Sequence, residues 1–150
     1  MLAAWLEFHR ATLLSKCAGL TAEQLAARGP APSGLSLLGL VRHMTELERL
    51  WFRQLLGGEE LSGIYFTSDN PDGDFNDGTP ASAAADLEVY LREVELARAA
   101  TAGHKPDETI LVRDSDVSVR WIYLHMIGEY ARHNGHADQV REHADGATGL

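Results

Sequence analysis

The stretch from Val119 to His143, VRWIYLHMIGEYARHNGHADQVREH, carries four of the chain's seven histidines and reads as one long helix. At about 100° per residue, Ile122, Met126, Tyr130, Ala137, Val140 and Ala144 fall on one stripe, the face expected to meet a core. Glu129 and His133 fall inside that stripe, four residues apart and so one turn above the other. His125 and His136 lie on its edge. A carboxylate and an imidazole turned toward an apolar interior need partners, because an unpaired buried charge is costly. An ordinary Glu129–His133 ion pair would meet that need, and so would a bound ion.

A second helix bears on the choice. Ser36 to Leu56, SLLGLVRHMTELERLWFRQLL, sets Leu37, Leu40, Met44, Leu47, Leu50, Trp51 and Leu55 on a broad apolar stripe with His43 at its edge. One histidine from this helix and the ExxxH pair from the other make a set of two imidazoles and a carboxylate: His43, Glu129 and His133. Such a set suits a divalent ion with one position left open for water or substrate. Zinc is the expected metal, with nickel and iron(II) also compatible. His125, His136, Tyr130 and Arg132 are the candidates for the surrounding pocket. Tyr130 or Arg132 could orient an anionic substrate, although a helix-surface arginine ordinarily does nothing so particular.

LLGLVRHMTELERLWF and, much later in the chain, LHMIGEYARHNGHADQVRE together resemble the DinB/YfiT-like superfamily of metal-binding four-helix bundles. Within it they are most similar to the DUF664-type branch, often linked with mycothiol. The resemblance covers nearly the whole chain and is strongest over Pro32–Phe52 and Val119–Gly149. It implies a metal held by one His on the second helix and by two residues four apart on the fourth; here those are His43, Glu129 and His133. The commoner DinB pattern has His where Glu129 stands. The Glu form is similar to the metal-binding domain of mycothiol-dependent maleylpyruvate isomerases, where the metal is zinc. The resemblance further implies mycothiol as thiol cosubstrate and, since many relatives pair through their helices, a homodimer.

At 150 residues the chain is expected to form one domain, burying about two-thirds of its unfolded surface. A net charge of -9 without any basic cluster argues against nucleic acid or an anionic membrane as partner. No signal peptide and no apolar run of membrane-spanning length are visible. A lone cysteine, Cys17, excludes an internal disulfide and suits a reducing cytoplasm.

Four helical stripes separated by Gly/Pro-rich breaks, taken with the resemblance, predict an all-α, up-down-down-up DinB-like four-helix bundle. Its helices are expected near 1–18, 36–56, 80–102 and 119–143. The first carries Leu2, Leu6, His9, Leu13 and Cys17 on one face, where a free Cys reads as a small core residue. His9 is either a pocket residue or a satisfied one. Thr21 and Gln24 form a capping-box pattern for a short helical turn, and Ser33 or Ser36 caps the second long helix. Glu46 and Glu48 point away from His43 on the wheel and read as flank or solvated residues. Gly57 to Thr79 is a long irregular loop rich in Asp and Asn; without the terminal Glu of an EF-hand these read as turns and solvation. Tyr65, Phe66 and Phe75 could anchor that loop over the helices. Pro80 is expected at the first position of the third helix, whose face is Leu87, Tyr90, Leu91, Val94 and Ala97. Gly103 to Val117 is a connector before the last helix, in which TILVR could extend briefly.

Three functions follow from a metal with an open position. The first is an enzyme that activates a low-molecular-weight thiol for transfer to an electrophile or for isomerisation. The second is a metal-dependent hydrolase acting through water. The third is a binding protein whose metal supports the fold or senses a ligand. Glu129 tips the balance toward thiol, since a carboxylate offsets one of the ion's two charges and a thiolate would complete neutrality.

Overall fold

The computed structural model describes residues 1–149, and they are mainly helical. In chain order they form α1 (Leu2–Cys17), α2 (Ala22–Ala26), α3 (Leu37–Glu48), α4 (Gly73–Asn76), α5 (Ala83–Thr101), the strands β1 (Thr109–Val112) and β2 (Ser115–Ser118), and α6 (Val119–Asp145). α3 runs on without a break into a π-helical segment, Arg49–Leu56.

The ends of these elements follow from local chemistry. Thr21 accepts from the Gln24 amide while Gln24 reaches back to the Thr21 amide, closing the capping box. Ser36 Oγ accepts from Gly39 N at 3.0 Å and Ser118 Oγ from Trp121 N at 3.2 Å, so a hydroxyl caps each site-bearing helix. α6 ends at Gly146, whose φ of 78° is the left-handed cap that glycine adopts without strain. α5 starts at Ala83 rather than Pro80, because Thr79 to Ser82 close a turn of their own.

α1 lies along α6, and α3 packs on α5 while also meeting α1, α2, α4 and α6. That central position leaves α3 almost no solvent face: Ser36 to Arg42, Met44 to Glu46 and Glu48 are all buried. Glu46 and Glu48 are therefore not solvated, contrary to the wheel reading. Glu46 Oε1 accepts from the amides of Ile64 and Tyr65 at 2.7 and 2.5 Å, pinning the 57–79 loop to α3. Glu48 is fully buried and takes Arg10 as a two-pronged partner, at 2.7 and 2.5 Å. Tyr130 donates to the same carboxylate at 2.7 Å, and Tyr90 lies 2.9 Å from the Tyr130 hydroxyl. α1, α3, α5 and α6 thus each send one side chain into a single buried polar knot.

Two further differences from the sequence reading have plain causes. The π winding, marked by the Gly57 N to Phe52 O bond of 2.9 Å, turns each residue through less angle than an α-helix. Arg53 and Leu56 consequently join Phe52 against the core, and Leu50 ends 36 % exposed. The chain is also not purely α. β1 and β2 pair antiparallel from Thr109–Ser118 to Val112–Ser115 around the two-residue turn Arg113–Asp114, where TILVR finds a partner in SDVS. Leu91, read as core, is 47 % exposed. No helix among the described residues is long and apolar enough to cross a membrane.

Candidate metal centre

α3 and α6 bring His43, Glu129 and His133 together: one donor atom from each lies within 4.8 Å of the other two. Glu129 Oε2 stands 3.5 Å from His133 Nε2. Two ligands bonded to one tetrahedral zinc at about 2.1 Å sit about 3.4 Å apart, so this pair already has the spacing of neighbouring ligands. His133 is buried, and burial followed by the nearby His43 pushes its pKa down to about 4. At neutral pH it is an uncharged imidazole, the form that donates a lone pair to a metal. Its Nδ1 is buried without a hydrogen-bond partner among the described residues.

His43 is held from its other side. Its Nδ1 lies 2.8 Å from Asp74 Oδ2, which leaves Nε2 as the nitrogen free for an ion. Phase is fixed as well, since the Phe75 ring stacks on the imidazole at 4.3 Å and 23°. Asp74 and Phe75 come from α4, in the 57–79 loop, where Phe75 is one of the expected anchors and Asp74 one of the acids read as turns and solvation. Arg42 holds that helix down by donating to the carbonyls of Gly73 and Asp74 at 3.0 and 3.1 Å and to Asp86 at 3.1 Å. The close approach depends on Gly39, where a Cβ would meet the Phe75 carbonyl at 2.7 Å. A ligand histidine ordinarily gives its second N–H to a carboxylate, so an acid was to be sought. Four loop aspartates offered themselves in the sequence, and nothing in their spacing singled out Asp74.

The expected pocket residues divide. His125 is half-buried with Nε2 4.0 Å from Glu129 Oε1, and the His136 ring meets that of His133 edge-on at 5.6 Å. His136 also borders a cavity of about 430 Å³ between Pro30–Leu35 and the last turns of α6. Tyr130 does not join them. It is wholly buried in the Arg10–Glu48 knot, so the wheel had its inward direction right and its neighbours unread. Arg132 is exposed on α6. His9 accepts from Asn134 through its carbonyl oxygen at 3.0 Å and belongs to the α1–α6 contact. Burial pushes the Cys17 thiol up to about 12, which keeps it protonated and unreactive inside the core.

Such an arrangement can hold a divalent cation by two neutral imidazoles and one carboxylate and leave a coordination position for a small ligand. No curated protein and no solved structure matches the chain. The family model described as mycothiol-S-transferase matches residues 1–146, nearly the full length, and the chain therefore belongs to the mycothiol S-transferase family.

Proposed function

We propose that this protein is a metal-dependent enzyme that activates a low-molecular-weight thiol, mycothiol in keeping with its family, for transfer to an electrophile or for isomerisation. What carries the reading is the convergence of His43, Glu129 and His133 within 4.8 Å, with Asp74 orienting His43. When bound, a divalent ion there, zinc by its donor set, supplies the Lewis acidity that makes a thiol acidic near neutral pH. The residues do the rest. Asp74 and Phe75 fix the imidazole of His43, buried His133 stays neutral, and Glu129 contributes the one negative charge. In the transfer, the thiol S–H gives its proton to solvent and the sulfur pair forms a bond to the electrophilic carbon. The leaving group departs with the electrons of its own bond. The cavity beside His136 offers room for the polar body of the thiol.

The same reading takes the four long helices as a DinB-like four-helix bundle in one domain, working in the cytoplasm and pairing as a homodimer. Light scattering on eluting protein checks the pairing. The function is tested with zinc-loaded protein and a panel of electrophiles, with and without mycothiol. Product formation that needs both thiol and metal is expected. Metal-dependent hydrolysis without thiol would replace this reading by that of a hydrolase.

A further inference from the structure

Trp121, His125, Glu129 and His133 follow one another at four-residue steps on α6, so their side chains form one column. The C-terminal half of the column is the candidate ligand pair, and the N-terminal half is aromatic. The Trp121 and His125 rings lie parallel, 6° apart in tilt and 4.9 Å between centres. Trp51, carried outward on the π-helical segment, closes against both, 4.5 Å from His125 at 58° and 5.4 Å from Trp121 at 55°. The rings thus make a corner, one parallel pair and one wall set steeply to it. Trp121 remains 46 % exposed, while Trp51 and His125 are half-buried. An isolated exposed tryptophan needs no explanation, but two indoles and an imidazole stacked together beside a reaction centre form a surface with a shape.

We infer that Trp51, Trp121 and His125 are the acceptor platform of this enzyme, the subsite that takes a flat, electron-poor aromatic or conjugated ring on the electrophile. Indole faces are electron-rich, so they stack best on a ring depleted of electrons, and the steep wall meets that ring's edge. Distance fits as well. At about 1.5 Å rise per residue, His125 is about 6 Å along the helix from Glu129, roughly the breadth of one substituted ring. A ring lying on the platform therefore brings its reactive carbon within one ring's breadth of Glu129 and the triad. The inference rests on reading His43, Glu129 and His133 as the reaction centre, and it adds the class of the second substrate.

The test separates the two readings by measuring binding apart from turnover. The chain has three tryptophans, and Trp5 lies on the outer face of α1, 54 % exposed, as an internal control. In ¹⁵N-labelled protein without thiol, 1,3-dinitrobenzene, a flat electron-poor ring lacking a leaving group, is titrated against the three indole N–H signals. Trp51 and Trp121 are expected to shift together along one saturating curve. Trp121→Leu should weaken that binding roughly 2- to 12-fold, the range of an aromatic pair, and Trp121→Phe should restore most of it. A response confined to Trp5, or unchanged affinity in Trp121→Leu, would overturn the platform. With mycothiol and metal present, Trp121→Leu should raise KM for 1-chloro-2,4-dinitrobenzene several-fold more than KM for iodoacetamide, which has no ring to stack. Equal losses with both electrophiles would count against the platform. Absence of transfer to either would remove the reaction-centre reading, and the titration would still decide the subsite.

Discussion

Glu129 sets the charge of the candidate centre. Beside two neutral imidazoles its carboxylate leaves a divalent ion with one net positive charge, and a bound thiolate would bring the total to zero. Glu129→His keeps a ligand but restores the full charge. Thiol-dependent turnover should then fall while acetate or phosphate binds more tightly, as read by titrating anion and thiol against both zinc-loaded proteins. A mutant that binds thiol more tightly, with no gain for anions, would show that charge balance is not the reason for this glutamate. Asp74 acts one step back. Asp74→Ala frees the ring of His43 that the carboxylate holds at 2.8 Å, and metal affinity should drop about 10- to 100-fold. Competition with a chelator measures it, and His43→Ala should lose more. The Glu129–His133 pair was legible because i,i+4 spacing on one helix is a geometric statement that needs no tertiary knowledge, whereas His43, on another helix, was joined to it through the resemblance. Asp74 was not, because its role depends on where a loop lands, and Gly39 and Arg42 decide that through space rather than through spacing.

Among the elements, α3 is the one that one-sided amphipathic reasoning describes least well. A helical wheel assigns one apolar face and one wet face, whereas α3 is surrounded by α1, α4, α5 and α6. Its acids are therefore inside, and each has a fixed partner. Glu48→Ala would leave the Arg10 guanidinium, 5 % exposed, with Glu7 as its remaining carboxylate partner and the Tyr130 hydroxyl short of an acceptor. Denaturant unfolding should show a loss of about 3–5 kcal/mol. The double replacement Arg10→Met with Glu48→Leu should recover most of it, since no buried charge is then left alone. Additive losses in the two single variants and the double would mean that the pair is not coupled. The ends of the site-bearing helices, α3 included, were readable all the same, because caps at Ser36 and Ser118 and a glycine at 146 are local signals. The hairpin before α6 was only half visible, since TILVR shows strand character but its partner SDVS is polar.

Across the whole molecule, the candidate centre ties α3 to α6 and, through Asp74, to the loop between the π-helical segment and α5. A ligand that binds only when these three are assembled stabilises the assembly by mass action. At a free zinc concentration one hundred times its dissociation constant the gain is about 2.7 kcal/mol, or roughly 5–10 °C in melting temperature for a chain of this size. Scanning calorimetry with zinc and with a chelator should show that gap, and His43→Ala should close it. If the gap persisted in His43→Ala, the ion would be held elsewhere. The winding of Arg49–Leu56 reaches further still. An i→i+5 turn holds one residue more than an α-turn, so the segment is a place where chain length and side-chain direction trade against each other. A relative one residue shorter between His43 and Gly57 need not have lost anything from a loop. It would wind as a plain α-helix, and the side chains between Arg49 and Leu56 would be swung to different bearings while the chain beyond kept its place. Trp51 would turn against His125, which it now meets at 4.5 Å, and Arg53 against the Glu93 carboxylate it now meets at 2.8 Å. In comparing such chains, a single-residue gap in this stretch should be read as a change in what the protein can grip.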